Sequence, residues 1–144
     1  MTNEPTTPPA TKAIQWLLDP LGTGRYIWPV LSPDRERIAA VQMERGALVM
    51  DLNGSLLALL GKCNAPSWTR DGRWLIGMDD RDDGHQVISS ELVFVSVDGR
   101  ASGALTATGD VMEMYPACSP VDNRIAYATL SGEVFVLTYQ EEGR

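Results

Sequence analysis

Short apolar runs bounded by turn residues recur along this chain, and their order repeats. The clearest set spans residues 28–51, WPVLSPDRERIAAVQMERGALVMD. A second starts at Pro66 as PSWTRDGRWLIGMDDRDDGHQVISSELVFVSVDG, and a third at Tyr115 as YPACSPVDNRIAYATLSGEVFVLTY. Each set holds a proline beside a short apolar run, a Ser-Pro-Asp-like turn, an Ile-Ala-type run, a glycine-bearing loop and a Val-rich run. Apolar runs of this length between turn clusters read as strands. The first set predicts strands at 28–31, 37–42, 47–52 and 55–60. Pro33 presets φ in the turn at 32–35, where Asp34 hydrogen-bonds locally. Asn53-Gly54 is a hairpin turn, matched by Asp98-Gly99 in the second set. In the third, strands are predicted at 115–118, 124–129 and 133–139 around a Ser131-Gly132 turn.

The turn residues Asp34 and Asp71 are thirty-seven positions apart, and Asp71 and Asp122 fifty-one. The excess falls in one polar insert, residues 79–91. A period near forty with about four short strands per unit is the mark of a β-propeller blade. The chain is therefore expected to be all-β, with blades at 26–60, 64–108 and 113–139. Residues 1–12, rich in Pro and Thr, and residues 140–144 are expected to be flexible tails.

Particular motifs carry a family resemblance. Tyr115-Pro116-Ala117-Cys118-Ser119-Pro120 followed by Asn123-Arg124-Ile125-Ala126-Tyr127, and Ser32-Pro33-Asp34 followed by Arg37-Ile38-Ala39, resemble the repeat of TolB-like propellers. The middle set is most similar, with Pro66-Ser67-Trp68-Thr69-Arg70-Asp71-Gly72 and then Leu92-Val93-Phe94-Val95-Ser96-Val97-Asp98-Gly99. The chain departs from the repeat where Leu31 and Cys118 replace Trp in the first and third sets, Arg35 replaces the turn glycine in the first, and Thr69-Arg70 replace Ser-Pro in the second. The resemblance covers residues 13–139 and implies the propeller fold. It also implies a periplasmic or exported protein, although the N-terminus MTNEPTTPPATK has no basic start followed by an apolar stretch. It leaves the function open, because propellers serve many tasks.

The segment 13–18, AIQWLL, precedes the first set where SLLALL and ASGALTAT precede the later ones. It is read as an outer strand whose own blade lacks its first three strands, while the third blade lacks its fourth. Three blades are too few to close a ring, and an open arc exposes an edge strand and two apolar faces. Two copies resolve both defects. In that arrangement Ile14, Trp16, Leu17 and Leu18 of each chain pair beside Val134 and Val136 of the other, giving a two-fold, six-bladed ring. The alternative is a piece of a longer propeller.

Composition then narrows the partners. The 144 residues are 44% hydrophobic, enough for one sizeable core. A net charge of −7 argues against a nucleic-acid backbone as partner. No apolar run reaches the length of a membrane span. Cys63 and Cys118 fall in different repeats and are read as reduced thiols. The single histidine, His85, leaves no histidine-based catalytic group or structural zinc site to argue from spacing, and no cofactor is expected.

Two clusters remain. Asp79, Asp82 and Asp83 lie in the insert around Gly84, and carboxylates in a tight loop suit calcium. Arg81 sits where a ligand belongs, so a solvated hairpin is the favoured reading and no metal is assigned. The second cluster precedes the inner strands: Arg25 and Tyr26, Lys62 and Asn64, Glu113 and Tyr115. Doubled by symmetry these line the mouth of a ring and suit a peptide or small polar ligand; the simpler reading packs the tyrosines between blades. Trp16, Trp28, Trp68 and Trp74 are expected in the interblade core. The reading as a whole is a non-enzymatic scaffold for a protein or peptide partner. Its rivals are an enzyme or small-ligand receptor using the central channel, and an accessory domain docking a larger enzyme.

Overall fold

The computed structural model describes residues 13–109 and 111–141. The expected tails at 1–12 and beyond 141 lie outside the described residues. Among those described, eleven strands form three antiparallel sheets. The first holds β1 (Tyr26–Leu31), β2 (Arg37–Gln42), β3 (Gly46–Asp51) and β4 (Leu56–Gly61) in sequential order. The second holds β5 (Asn64–Trp68), β6 (Trp74–Asp82), β7 (Val87–Ser96) and β8 (Ser102–Ala104). The third has β9 (Glu113–Cys118), β10 (Arg124–Thr129) and β11 (Val134–Thr138). Strand β5 contacts both β1 and β9, so the first strands of the three sheets lie side by side.

The polar insert forms a hairpin, the reading favoured from its sequence, with β6 and β7 paired out to Asp82↔Val87. One element differs from the pattern-based reading. The outer strand expected over 101–108 contracts to three residues. Leu105 N and Thr106 N both turn to Leu92 O, at 2.7 and 3.3 Å, which takes the backbone off the ladder after Ala104. Small residues offer little there to hold a longer strand.

The recurring Ser-x-Asp turn is explained by its bonds. Ser32 Oγ donates to Asp34 at 2.5 Å, and Asp34 accepts from Glu36 N at 3.0 Å. Thr69 and Asp71 repeat the hydroxyl–carboxylate contact at 2.8 Å, so replacing Ser by Thr keeps the interaction. Ser96 and Asp98 repeat it at 2.7 Å. Arg35 takes the left-handed backbone, φ 64, that Gly72 takes at φ 72 thirty-seven residues later; only glycine does so without steric cost.

These turns make acid stability testable. The Arg124 guanidinium, with the Ser119 hydroxyl, holds the Asp122 carboxyl down to about 2, and the hydroxyls of Ser32 and Ser96 lower Asp34 and Asp98. A carboxyl depressed on folding stabilises fully above its unfolded value near ~3.9 and loses that contribution as pH falls through the folded one. The thermal midpoint should therefore hold at pH 5 and fall between about pH 4 and 2. Asp122→Asn should flatten part of that fall. A midpoint level down to pH 2 contradicts this account of the turns.

The sheets pack face to face. Ala39, Val41, Ala47 and Val49 of the first meet Cys63, Trp68, Leu75 and Val95 of the second in one buried cluster. Trp68 anchors it: its Nε1 donates to Val30 O at 3.0 Å, and Arg37 lies 4.8 Å over its ring. A side chain at residue 77 would place its Cβ 2.4 Å from Cys63 Sγ, which accounts for glycine within β6. The second and third sheets join through Cys118 N to Ser67 Oγ at 2.9 Å and Ser90 Oγ to Glu113 O at 2.6 Å. Both cysteines are free, and burial pushes the Cys63 thiol up to about 12. Trp68 is core as expected and Trp28 and Trp74 are partly covered, but Trp16 is 70% exposed. Residues 13–18 pair with no strand among the described residues, which leaves Trp16 uncovered within the chain.

Candidate functional site

The inner-strand residues singled out from sequence lie at or beside the starts of β1, β5 and β9, and most are engaged locally. Arg25 pairs with Glu44 at 2.8 Å. The Tyr26 hydroxyl donates to Asp19 at 2.6 Å and accepts from Leu21 N at 3.0 Å. Partial burial, with Asp19 beside it, raises that phenol, while the hydroxyl lowers Asp19 in return. Lys62 Nζ donates to Asp80 O at 2.7 Å, and Asn64 Nδ2 to Asp80 Oδ1 at 2.8 Å. Glu113 is buried and accepts from the hydroxyls of Thr106, at 3.1 Å, and Thr108. Tyr115 differs, standing 55% exposed. These rims are held by the loops around them, which sequence spacing does not reveal.

A repeated backbone feature aims these strands. Trp28, Ala65 and Tyr115 each precede a proline and have φ of 53, 48 and 54°. At each site the pairing of the inner strand with its neighbour shifts register. A residue before proline is ordinarily extended, so each inner strand carries the same local strain and bulge.

The insert carboxylates are occupied by their own turn. Asp82 Oδ1 accepts from Gly84 N at 3.0 Å. Asp83 Oδ1 accepts from His85 N and Gln86 N at 2.9 and 3.0 Å, which lowers its pKa. Asp79 lies 3.2 Å from Arg81. Its Oδ1 is buried without a hydrogen bond, with the Lys62 ammonium at 3.8 Å. Among the described residues, no three His, Cys, Asp or Glu side chains are grouped to hold a metal ion.

The open sides of the arc carry the strongest site signal. Thr129 N donates to Glu133 O and Tyr139 N to Asn123 O, at 2.9 and 3.0 Å. With β11 registered as Ala126↔Val136, antiparallel alternation turns the N–H and C=O groups of Val134, Val136 and Thr138 away from β10. Two of the three side chains there are apolar, and Val134 and Val136 are 74% and 63% exposed. At the other end of the arc Ile14, Trp16 and Leu17 are 81%, 70% and 91% exposed. Leu18 is the exception, packed with Leu21 on the outer face of the first sheet beside Ala40, Leu48 and Met50. Leu57 and Leu59 of that sheet remain exposed.

Sequence reasoning missed a cavity of about 820 Å³ between the second sheet and residues 139–141, lined by Trp74, Ile76, Phe94 and Leu105. Trp74 and Phe94 meet edge to face at 5.6 Å, and Trp74 Nε1 is buried without a hydrogen-bond partner. The legible trace of it was two aromatics in neighbouring strands; the missing wall was not.

No protein-family model matches the chain, and no curated protein matches it either. Solved structures do. A protein described as TolB from Agrobacterium tumefaciens is 18% identical, with a TM-score of 0.57 over 78% of this chain and 50% of that one. An oligogalacturonate lyase solved with manganese is 14% identical, with a TM-score of 0.62 over 77% of this chain and 37% of that one. Both are β-propeller proteins. The likeness is one of fold, and the chain spans half or less of the length of these proteins.

Proposed function

We propose that this chain is half of a propeller scaffold, completed by a second copy, whose ring grips a protein or peptide segment at its mouth and carries no chemistry of its own. The observation that carries the reading is the match between two open features. Among the described residues, the third sheet has three strands and a free apolar edge at β11, while a strand-length apolar segment at 13–18 stands unpaired at the far end of the arc. Strand addition to such an edge satisfies the outward amides and covers the valines together. The same join places the outer leucines of the first sheet against the third sheet of the second copy. Six blades is a number at which propellers close.

The mouth is the binding surface in this reading. Tyr115 supplies an exposed aromatic anchor, doubled by the two-fold axis, among rims fixed by the Lys62–Asp80–Asn64 and Tyr26–Asp19 bonds. An aromatic on a rigid rim is the usual centre of a peptide hot spot. Panning a random peptide library against the assembled protein should enrich binders that lose about tenfold or more in affinity on Tyr115→Ala, a change of at least ~1.4 kcal/mol. The mass of the assembly should not change. No enrichment, or binders indifferent to Tyr115, would sink the mouth as the site.

A further inference from the structure

Resting on the reading of two strand-exchanged chains, we propose that the cavity beside Trp74 is filled by Gln15 and Leu17 of the second copy, whose Ile14 and Trp16 turn the other way onto their own first sheet. The cavity continues the open edge. Tyr139, Gln140 and Glu141 follow β11 directly and form one wall, and Ala104 and Leu105 form another. A strand laid along β11 therefore runs past its opening with one row of side chains facing in.

Alternation decides which row. Successive residues of a strand face opposite sides. Leu18 already packs on the first sheet of its own chain, and a Cβ at Gly54 would lie 3.2 Å from its side chain. Trp16 and Ile14 share its side, which leaves Leu17 and Gln15 for the other. Strand β4 has the same phase: Leu60 packs into the core shared with the next sheet, while Leu59 faces away and is exposed.

The chemistry of the cavity fits this pair. Its floor of Ile76, Phe94 and Trp74 suits a leucine, which brings no polar atom to satisfy. The buried Trp74 Nε1 lacks an acceptor, and a buried donor left unpaired is costly. The amide oxygen of Gln15, on the same face as Leu17, supplies one. The wider assignment from composition alone, which treats all of AIQWLL as one apolar surface, gives no reason for a glutamine at its centre.

The test uses two differently tagged full-length chains, one carrying Leu17→Cys and the other Leu105→Cys or Phe94→Cys, both on the cavity face of the second sheet. They are co-expressed and then oxidised. The native thiols are covered and their pKa values raised, so they compete poorly. Leu17→Cys should form an interchain disulfide with at least one of the two, about tenfold faster than Trp16→Cys, because bridging needs Cβ atoms within about 4.5 Å. Trp16→Cys bridging in place of Leu17→Cys, or no bridge at either cavity position, in protein of two-chain mass overturns this inference and leaves strand exchange standing. Protein of single-chain mass takes both down.

Discussion

Val136→Pro is expected to separate paired chains while leaving each chain folded. The outward direction of the Val136 N–H makes the substitution selective. Proline removes no bond to β10, because Val136 lies between the hydrogen-bonded pairs of that ladder. It does remove a donor needed by any strand added on the free side, and leaves that strand's carbonyl unpaired at a cost of about 1–3 kcal/mol. The two-fold axis repeats the join, so the loss occurs twice and the dissociation constant should rise about 30-fold or more. Deleting residues 13–17 removes the added strand itself and should abolish pairing, while keeping Leu18 on its own sheet. Sedimentation velocity over a concentration series reads both, and the far-ultraviolet spectrum checks that the sheets persist. Val136→Pro protein that unfolds outright would show that the β11 ladder is not arranged as described.

Leu75→Ala should be the most damaging single truncation in the core. Leu75 is fully buried where the first and second sheets meet, among Val41, Trp68 and Val95. Removing a buried leucine side chain from a packed core costs about 2–5 kcal/mol, and sheet walls collapse little to fill the space. The urea midpoint should fall with its slope unchanged. The comparison must be made at one protein concentration, because association adds to apparent stability. A loss under about 1 kcal/mol would mean that the two sheets do not share a close-packed core.

Much of the fold was legible because its causes are local. The Ser32-Pro33-Asp34 turn and its copy at Thr69 fix where strands start, since a hydroxyl two residues from a carboxylate closes the turn by itself, while at Ser119 the hydroxyl accepts from Val121 N and Asp122 N. Asn53-Gly54 and Asp98-Gly99 likewise mark hairpins that the structure contains. The shortness of β8 was not legible, since it comes from two amides competing for Leu92 O across the sheet. Nor was the engagement of the mouth residues: Lys62 and Asn64 are bound by Asp80, and no spacing rule links them. In the proposed pairing, the exposure of Trp16 and the cavity beside Trp74 depend on what lies beyond a single chain. For such features a pattern of hydrophobic residues indicates burial but not the partner that provides it.

Trp28, Ala65 and Tyr115 hold nearly one backbone conformation in three separate sheets. Such positions persist only where surrounding structure over-determines them. Here the flanking ladders and the side-by-side inner strands do so, and the bulge turns Tyr115 outward at the rim proposed to bind.

The most direct test of the central claim is mass in solution, by light scattering behind a sizing column. The account predicts a species of twice the 15.7 kDa chain mass, returning toward one chain when residues 13–17 are deleted. A cooperative, concentration-independent species of one chain mass would contradict it, and the free edge of β11 would then have to be covered by something other than a second copy.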